Sequence, residues 1–155
     1  MANVLAGRSR APEPRVVGPE IVRLLLAHRQ VLLWVNGHVH RNVITPHRSP
    51  DHGGGFWEIT TASHIDWPQQ SRCIELADNR DGTLSIFTTL IDSAADAAWS
   101  GDLGSPLELA SLSRELAAND PHRWDRPDVS DLRYRGAHAD RNAELLLPMP
   151  PGLAI

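Results

Sequence analysis

The chain has 155 residues, 41% hydrophobic and 22% charged, a composition typical of one globular domain with its own core. The formal net charge is −4, and residues 92–131 carry nine acidic side chains against three arginines. We therefore expect no nucleic acid as partner, because a phosphate backbone requires a basic surface. The sequence has no apolar run of about 20 residues and no secretory signal, so we expect no membrane contact and, by default, a cytoplasmic location.

The first elements predicted along the chain are a lead-in, a helix and a short strand. Residues 1–17 have little apolar periodicity and are predicted to be disordered. Gly18-Pro19-Glu20 begins a helix that we expect to run to about Arg29, since proline suits the first helical turn. Residues 31–35 form an uninterrupted apolar run, which predicts a strand buried on both faces. A helix followed by a buried strand is typical of an α/β unit.

The predicted strand ends in the sequence NGHVH, which contains two histidines two residues apart. On a strand or at its end, residues at this spacing project to the same side, and a glycine such as Gly37 allows a sharp turn. His38 and His40 are therefore candidate metal ligands, because neutral imidazole binds zinc, iron and manganese. The alternative is that both are loop histidines that bind no metal, since so short a pattern is only a hypothesis.

The remaining elements are predicted as follows. Strands are expected at residues 42–45 and 56–61, separated by a loop rich in proline and glycine, and residues 62–70 form a turn or short helix. Residues 72–77 and 84–91 give the strongest hairpin signal. A capping box at residues 105–108 begins a helix with Leu109, Leu112 and Leu116 at helical spacing. Residues 140–147 form a final helix or strand, and residues 149–155 are a tail. Together these elements predict an α/β or α+β fold with a mixed β-sheet and flanking helices.

Further residues near the two histidines are candidates for contacts with a substrate or with the metal ligands: Asn36, Gly37, Arg41, Asn42, His64 and Asp66. Arg41 suits an oxyanion, although a surface salt bridge is an equal alternative. His64 and Asp66 follow Ser63, but adjacent residues rarely form a catalytic triad. The alternative is that Ser63 caps a turn while Trp67 packs in the core. His47 and Glu58 are expected to face solvent.

Residues 31–42 read VLLWVNGHVHRN, and they resemble the last signature of the calcineurin-like metallophosphoesterases. Three other stretches are similar to an actinobacterial branch of that superfamily: GFWEITTASHIDWPQQSRCIELADNRDGTLSIFTTLIDSAA, SRELAANDPHRW and DRNAELLLP. The resemblance implies a layered α/β/β/α sandwich and a centre of two divalent ions, manganese, iron or zinc. It implies that His38 binds one ion and His40 the other, and that the substrate is a phosphate ester attacked by a metal-activated hydroxide.

The family's other ligand motifs are missing from this sequence. They are D-x-H, G-D-x-x-D and G-N-H-[DE], and all three precede the final motif in the family. We therefore expect residues 18–148 to be the C-terminal part of such a phosphatase-type hydrolase, inactive or nearly so alone. The alternative is a non-catalytic remnant or interaction module, which pairs with a separate N-terminal half or with itself.

Overall fold

The structure is a computed structural model that describes residues 17–51, 53–120 and 132–153. Its helices are α1 (Gly18–Leu26), α2 (Pro106–Ala118), α3 (Leu132–Arg135) and a short 3-10 helix (His138–Asp140). Its strands are β1 (Leu33–Asn36), β2 (Val43–Arg48), β3 (Gly55–Thr60), β4 (Ser71–Asp78), β5 (Thr83–Ile91) and β6 (Ala143–Pro148). The fold is therefore α+β. None of the described helices is long and apolar enough to cross a membrane. The predicted lead-in lies outside the described residues except for Val17.

The six strands form two three-stranded sheets. The first has the order β1-β3-β2 and is mixed, because β1 runs parallel to β3 whereas β2 runs antiparallel to it. The second has the order β4-β5-β6 and is entirely antiparallel. The predicted hairpin is confirmed as β4 and β5, and the final segment is a strand. The mixed sheet that the sequence predicts is the first of the two.

One apolar cluster joins the two sheets. Ile59 of the first sheet packs with four residues of the second, and all five are at most 9% exposed: Ile59, Leu84, Ile86, Leu145 and Leu147. The alternation of side chains along β3 and β5 explains this, since every second residue faces the opposite sheet. Trp57 also donates its indole N–H to the Leu146 carbonyl, at 3.2 Å. The C-terminal tail adds Met149 and Leu153 to the same cluster.

The predicted burial of the strand before the histidines is wrong. β1 is an edge strand that pairs with β3 alone among the described strands, and Val35 is 47% exposed. The apolar run of residues 31–35 predicts a strand but does not reveal how many neighbours that strand has. β2 also extends beyond its predicted end and passes through Pro46. Proline fits there because β2 is an edge strand, where one face of the backbone needs no donor.

Helix α2 begins as the sequence predicts, but its leucines do not face the core. The Ser105 hydroxyl accepts a hydrogen bond from the Glu108 N–H at 3.2 Å, which caps the first turn. The side chains that α2 buries are those of Ser111 and Arg114. Leu109 and Leu116 are instead 50% and 64% exposed. The helical period of the leucines is therefore confirmed, whereas their apolar face points away from the protein interior.

Candidate functional site

The two histidines lie in the loop between β1 and β2, at the end of the first sheet where β1 and β3 both finish. Because β1 and β3 are parallel, the loop that follows β3, residues 61–70, starts beside the histidine loop. The Thr61 N–H and hydroxyl donate to the Asn36 carbonyl at 2.9 and 3.1 Å. Two loops are thus tied together at one edge of the sheet, the position in which open sheets usually carry their sites.

Both histidines have left-handed backbone conformations. φ is +76° at His38 and +52° at His40, and only four described non-glycine residues have a positive φ. This conformation costs roughly 1–2 kcal/mol for a residue with a Cβ atom. Gly37, by contrast, lies outside the left-handed region, and a Cβ atom there would meet Thr61 Oγ1 at an ordinary 3.8 Å. The sharp turn expected at the glycine is therefore made by the histidines themselves.

His40 contacts Asp66, so the structure brings together two of the residues that the sequence singles out. The distance between His40 Nδ1 and Asp66 Oδ2 is 3.0 Å, and the two side chains are 40% and 47% exposed. Ser63 positions Asp66, because its hydroxyl accepts hydrogen bonds at 3.1 Å from the N–H groups of Ile65 and Asp66. His38 is also exposed. The side chains of His38, His40 and Asp66 are therefore accessible to a partner or ligand.

The described residues around the histidine loop do not by themselves fit a centre of two metal ions. A protein-bound zinc ion takes about three or four protein ligands, and a two-metal site needs more, including bridging carboxylates. Among residues 17–51, 53–120 and 132–153, no three His, Cys, Asp or Glu side chains are gathered closely enough to hold an ion. His38, His40 and Asp66 are at most a part of such a donor set.

Asn42 lies inside the fold, 1% exposed, rather than at the surface of the loop. Its amide N–H group donates to Gln70 Oε1 at 2.7 Å and to the carbonyls of Tyr134 and Arg135 at 3.4 Å. Its side-chain oxygen accepts from the Ala62 N–H and from Arg72 Nη2, both at 3.2 Å. Asn42 therefore joins the loops after β1 and β3 to strand β4 and to the C-terminal segment.

The polar network of Asn42 continues to helix α2. Gln70 donates to Asp92 Oδ2 at 2.7 Å, and Arg114 Nη1 donates to Asp92 Oδ1 at 2.8 Å. Burial alone would raise the pKa of Asp92. The hydrogen bonds from Arg114 and Gln70 and the charge of Arg114 outweigh it, so the pKa of Asp92 lies below its usual value. Asp92 is thus an ionised anchor for α2.

Two arginines near the loop also make internal contacts. Arg41 stacks on the Tyr134 ring, with 4.9 Å from its guanidinium carbon to the ring centroid. Arg72 donates to Thr88 Oγ1 and, at 2.7 and 2.6 Å, to the carbonyls of Arg141 and Asp140. Burial lowers the pKa of Arg72, although the charge of Asp140 opposes this shift. The guanidinium groups behind the histidine loop therefore hold the C-terminal segment in place.

The structure assigns Ser63, His64 and Asp66 to three different partners and not to a triad. Ser63 caps the turn, and Trp67 is buried at 3% exposure, as the alternative interpretation predicts. His64 Nε2 lies 2.9 Å from the Ser71 hydroxyl, whereas Asp66 contacts His40. Ser63, His64 and Asp66 therefore do not form a catalytic triad, because the three side chains do not converge.

One polar row next to the site is not apparent from the sequence. Glu58 on β3 accepts a hydrogen bond at 2.6 Å from the Asn36 amide on β1, and its other oxygen lies 2.8 Å from His47 Nε2 on β2. His47 also stacks on Phe56, with 4.7 Å between ring centroids. The expectation that His47 and Glu58 simply face solvent is wrong, since their side chains are only 17% and 23% exposed. The alternation along β3 predicts that the Glu58 side chain points away from the core. Only the pairing of β3 with β1 and β2 shows that Asn36 and His47 are its neighbours.

Comparison of the chain with known protein families, with curated proteins and with solved structures finds no match in any of the three. The function is therefore inferred from the motif and from the geometry around it.

Proposed function

We propose that this chain is the C-terminal part of a calcineurin-like metallophosphoesterase, to which it contributes His38 and His40 as two of the metal ligands. The intact enzyme hydrolyses phosphate esters, and the missing ligands come from polypeptide outside the described residues. The observation that carries the proposal is the position of both histidines at the carboxyl end of β1, beside the carboxyl end of the parallel strand β3.

The backbone of the histidine loop supports a functional role. Two left-handed non-glycine residues with only Val39 between them are an unfavourable way to build a connection between strands. Such strain is retained mainly where it holds side chains for binding or catalysis. The contact between His40 Nδ1 and Asp66 also leaves Nε2 of His40 as its free donor atom. A carboxylate on the second nitrogen is the usual companion of a metal-binding histidine.

The open edge of β1 supports the view that further polypeptide completes the site. β1 has no neighbour on its outer side among the described strands, and its sequence, LWVN, contains no charged residue or proline. Exposed edges are normally protected by charges or proline, as β2 is by Pro46 and Arg48. A strand added parallel to β1 would end beside His38 and His40, where its carboxylates could join them.

The test is a metal-binding and hydrolysis assay on the purified chain with a generic aryl phosphate ester and added Mn²⁺. We expect no turnover above that of the metal alone, because the donor set is incomplete. Turnover that is lost in His38→Ala would show that the chain is complete and would overturn this part of the proposal. His28→Ala is the matched control, since His28 is exposed and lies at the end of α1, away from the loop.

A second candidate function is a non-catalytic interaction module, either a remnant or one half of a pair. It is favoured by three valines around the histidine loop, Val35, Val39 and Val43, which are 47%, 53% and 38% exposed. Val35 in particular lies on the open edge of β1, and a strand with an unpaired edge is a template on which another chain can pair. Absence of both metal binding and turnover, together with self-association in solution, would favour this candidate over the first.

A further inference from the structure

The leucine face of α2 and the loop after β3 enclose an open groove of about 360 Å³. Its lining includes Ile65, Gln69, Leu109, Leu112, Leu116 and Ala117. Ile65 is 79% exposed and Leu116 64%, so the groove walls are large apolar side chains in contact with solvent. Gln69 holds the two walls together, because its amide donates to Ser113 Oγ at 2.9 Å and to the Ile65 carbonyl at 2.8 Å.

The opposite face of α2 explains why these leucines cannot turn inward. Arg114 is 5% exposed, donates to Asp92 at 2.8 Å and lies over the Trp67 ring, 5.2 Å from its centroid. The Ser111 hydroxyl donates to the Asp96 carbonyl at 2.8 Å. Rotating the helix to bury the leucines would break this ion pair and leave the buried Arg114 without its carboxylate, which is destabilising. The apolar face is therefore fixed outward.

The charge around the groove determines which partner it fits. Residues 93–120 contain five acidic residues, and their one basic residue is Arg114, which is buried. Glu108 and Glu115 are seven residues apart, so they lie on one line of the helix, along the margin of the stripe next to Leu112. Both remain partly exposed, and each also accepts a hydrogen bond from the segment before α2: Glu115 from the Trp99 N–H at 2.7 Å and Glu108 from the Ser100 hydroxyl at 2.9 Å. Two copies of α2 packed antiparallel would bring this acidic margin against itself, which opposes self-association through the groove.

We propose that this groove binds an amphipathic helix of a partner protein, with a row of apolar side chains on one face and arginine or lysine residues beside it. The apolar row inserts between Ile65 and the α2 leucines, and its basic residues pair with Glu108 and Glu115. Docking of a helix into an apolar groove through residues at helical spacing is a common mode of recognition. The inference is independent of the metal-ligand proposal, since none of these residues belongs to the histidine loop.

The test uses the full chain and two synthetic helical peptides with the same leucine row, one with lysines on its polar face and the other with glutamates. Binding is measured by isothermal titration calorimetry at low and at high salt. We expect the basic peptide to bind at least about tenfold more tightly than the acidic one, with the difference reduced by salt. Leu109→Ser and Leu116→Ser should each weaken the basic peptide about tenfold, since each removes an apolar side chain from the interface.

Leu146→Ser is the matched control, because Leu146 is 56% exposed on β6 and does not line this groove. Circular dichroism should show the same fold and thermal midpoint for all three variants. Equal binding of both peptides, no binding of the basic peptide, or binding that is unchanged in both groove variants would overturn the proposal. Self-association that is lost in Leu116→Ser would also overturn it, by identifying a second copy as the occupant.

Discussion

Replacing Asn42 by alanine tests whether the histidine loop is held by the buried polar network. The substitution removes every hydrogen bond of the side chain, and it leaves the buried Gln70 Oε1 and the partly buried Ala62 N–H without this partner. A stranded buried polar group costs about 1–3 kcal/mol, so we expect the free energy of unfolding to fall by about 3–5 kcal/mol. For a chain of this size that corresponds to a thermal midpoint roughly 10 °C lower, at ~2–4 °C per kcal/mol.

The assay is urea unfolding followed by circular dichroism, with the free energy extrapolated to water. Asn142→Ala is the control, because Asn142 is exposed and accepts a single hydrogen bond, at 2.8 Å from the Leu90 N–H. We expect that variant to lose at most about 1 kcal/mol. If Asn42→Ala were no less stable than Asn142→Ala, the network would not hold the loop and the reasoning would be refuted.

Three further variants test separate features. Gly136→Ala should lower the free energy of unfolding more than Gly101→Ala. Both glycines have a positive φ, but only at Gly136 would the new Cβ approach another atom closely, Asn42 Cβ at 2.9 Å. Equal losses of unfolding free energy in urea would contradict the clash. His38→Gly should raise the free energy of unfolding by up to ~1 kcal/mol by relieving the left-handed strain, and a loss would show that no strain is stored there. Because the pKa of Asp92 is lowered in the folded protein, its contribution to stability is present above about pH 4 and is lost as the pH falls through the folded pKa. The difference in unfolding free energy between wild type and Asp92→Asn should therefore shrink on acidification. A difference that stays constant with pH would refute this.

The parts of the fold that the sequence predicts are those determined by nearby residues. The β4–β5 hairpin follows from alternation around the turn at Asn79 and Gly82, and α2 begins where Ser105 supplies its cap. The edge position of β1 is not predictable in this way, because it depends on which strands pair across a long sequence separation. An apolar run looks the same whether one neighbour or two cover it.

The site is predicted only in part for the same reason. His40 and Asp66 are both candidate residues from the sequence. They lie at one end of the sheet because the parallel strands that precede their loops end together. The burial of Asn42 depends on a contact with Tyr134, 92 residues away, and no local pattern indicates it. The outward leucines of α2 are likewise set by Arg114 and its distant partner Asp92, since helical periodicity identifies a face but not its direction.

The most direct test of the proposed function is the nucleotide sequence of the transcript that carries the codon for Met1. We predict that the coding sequence upstream of it, in the same frame or in an adjacent gene, contains D-x-H, G-D-x-x-D and G-N-H-[DE] in that order. Those motifs would supply the carboxylates and imidazoles that His38 and His40 lack. A transcript without any of these motifs on either side of the codon would contradict the assignment of the chain to a metallophosphoesterase.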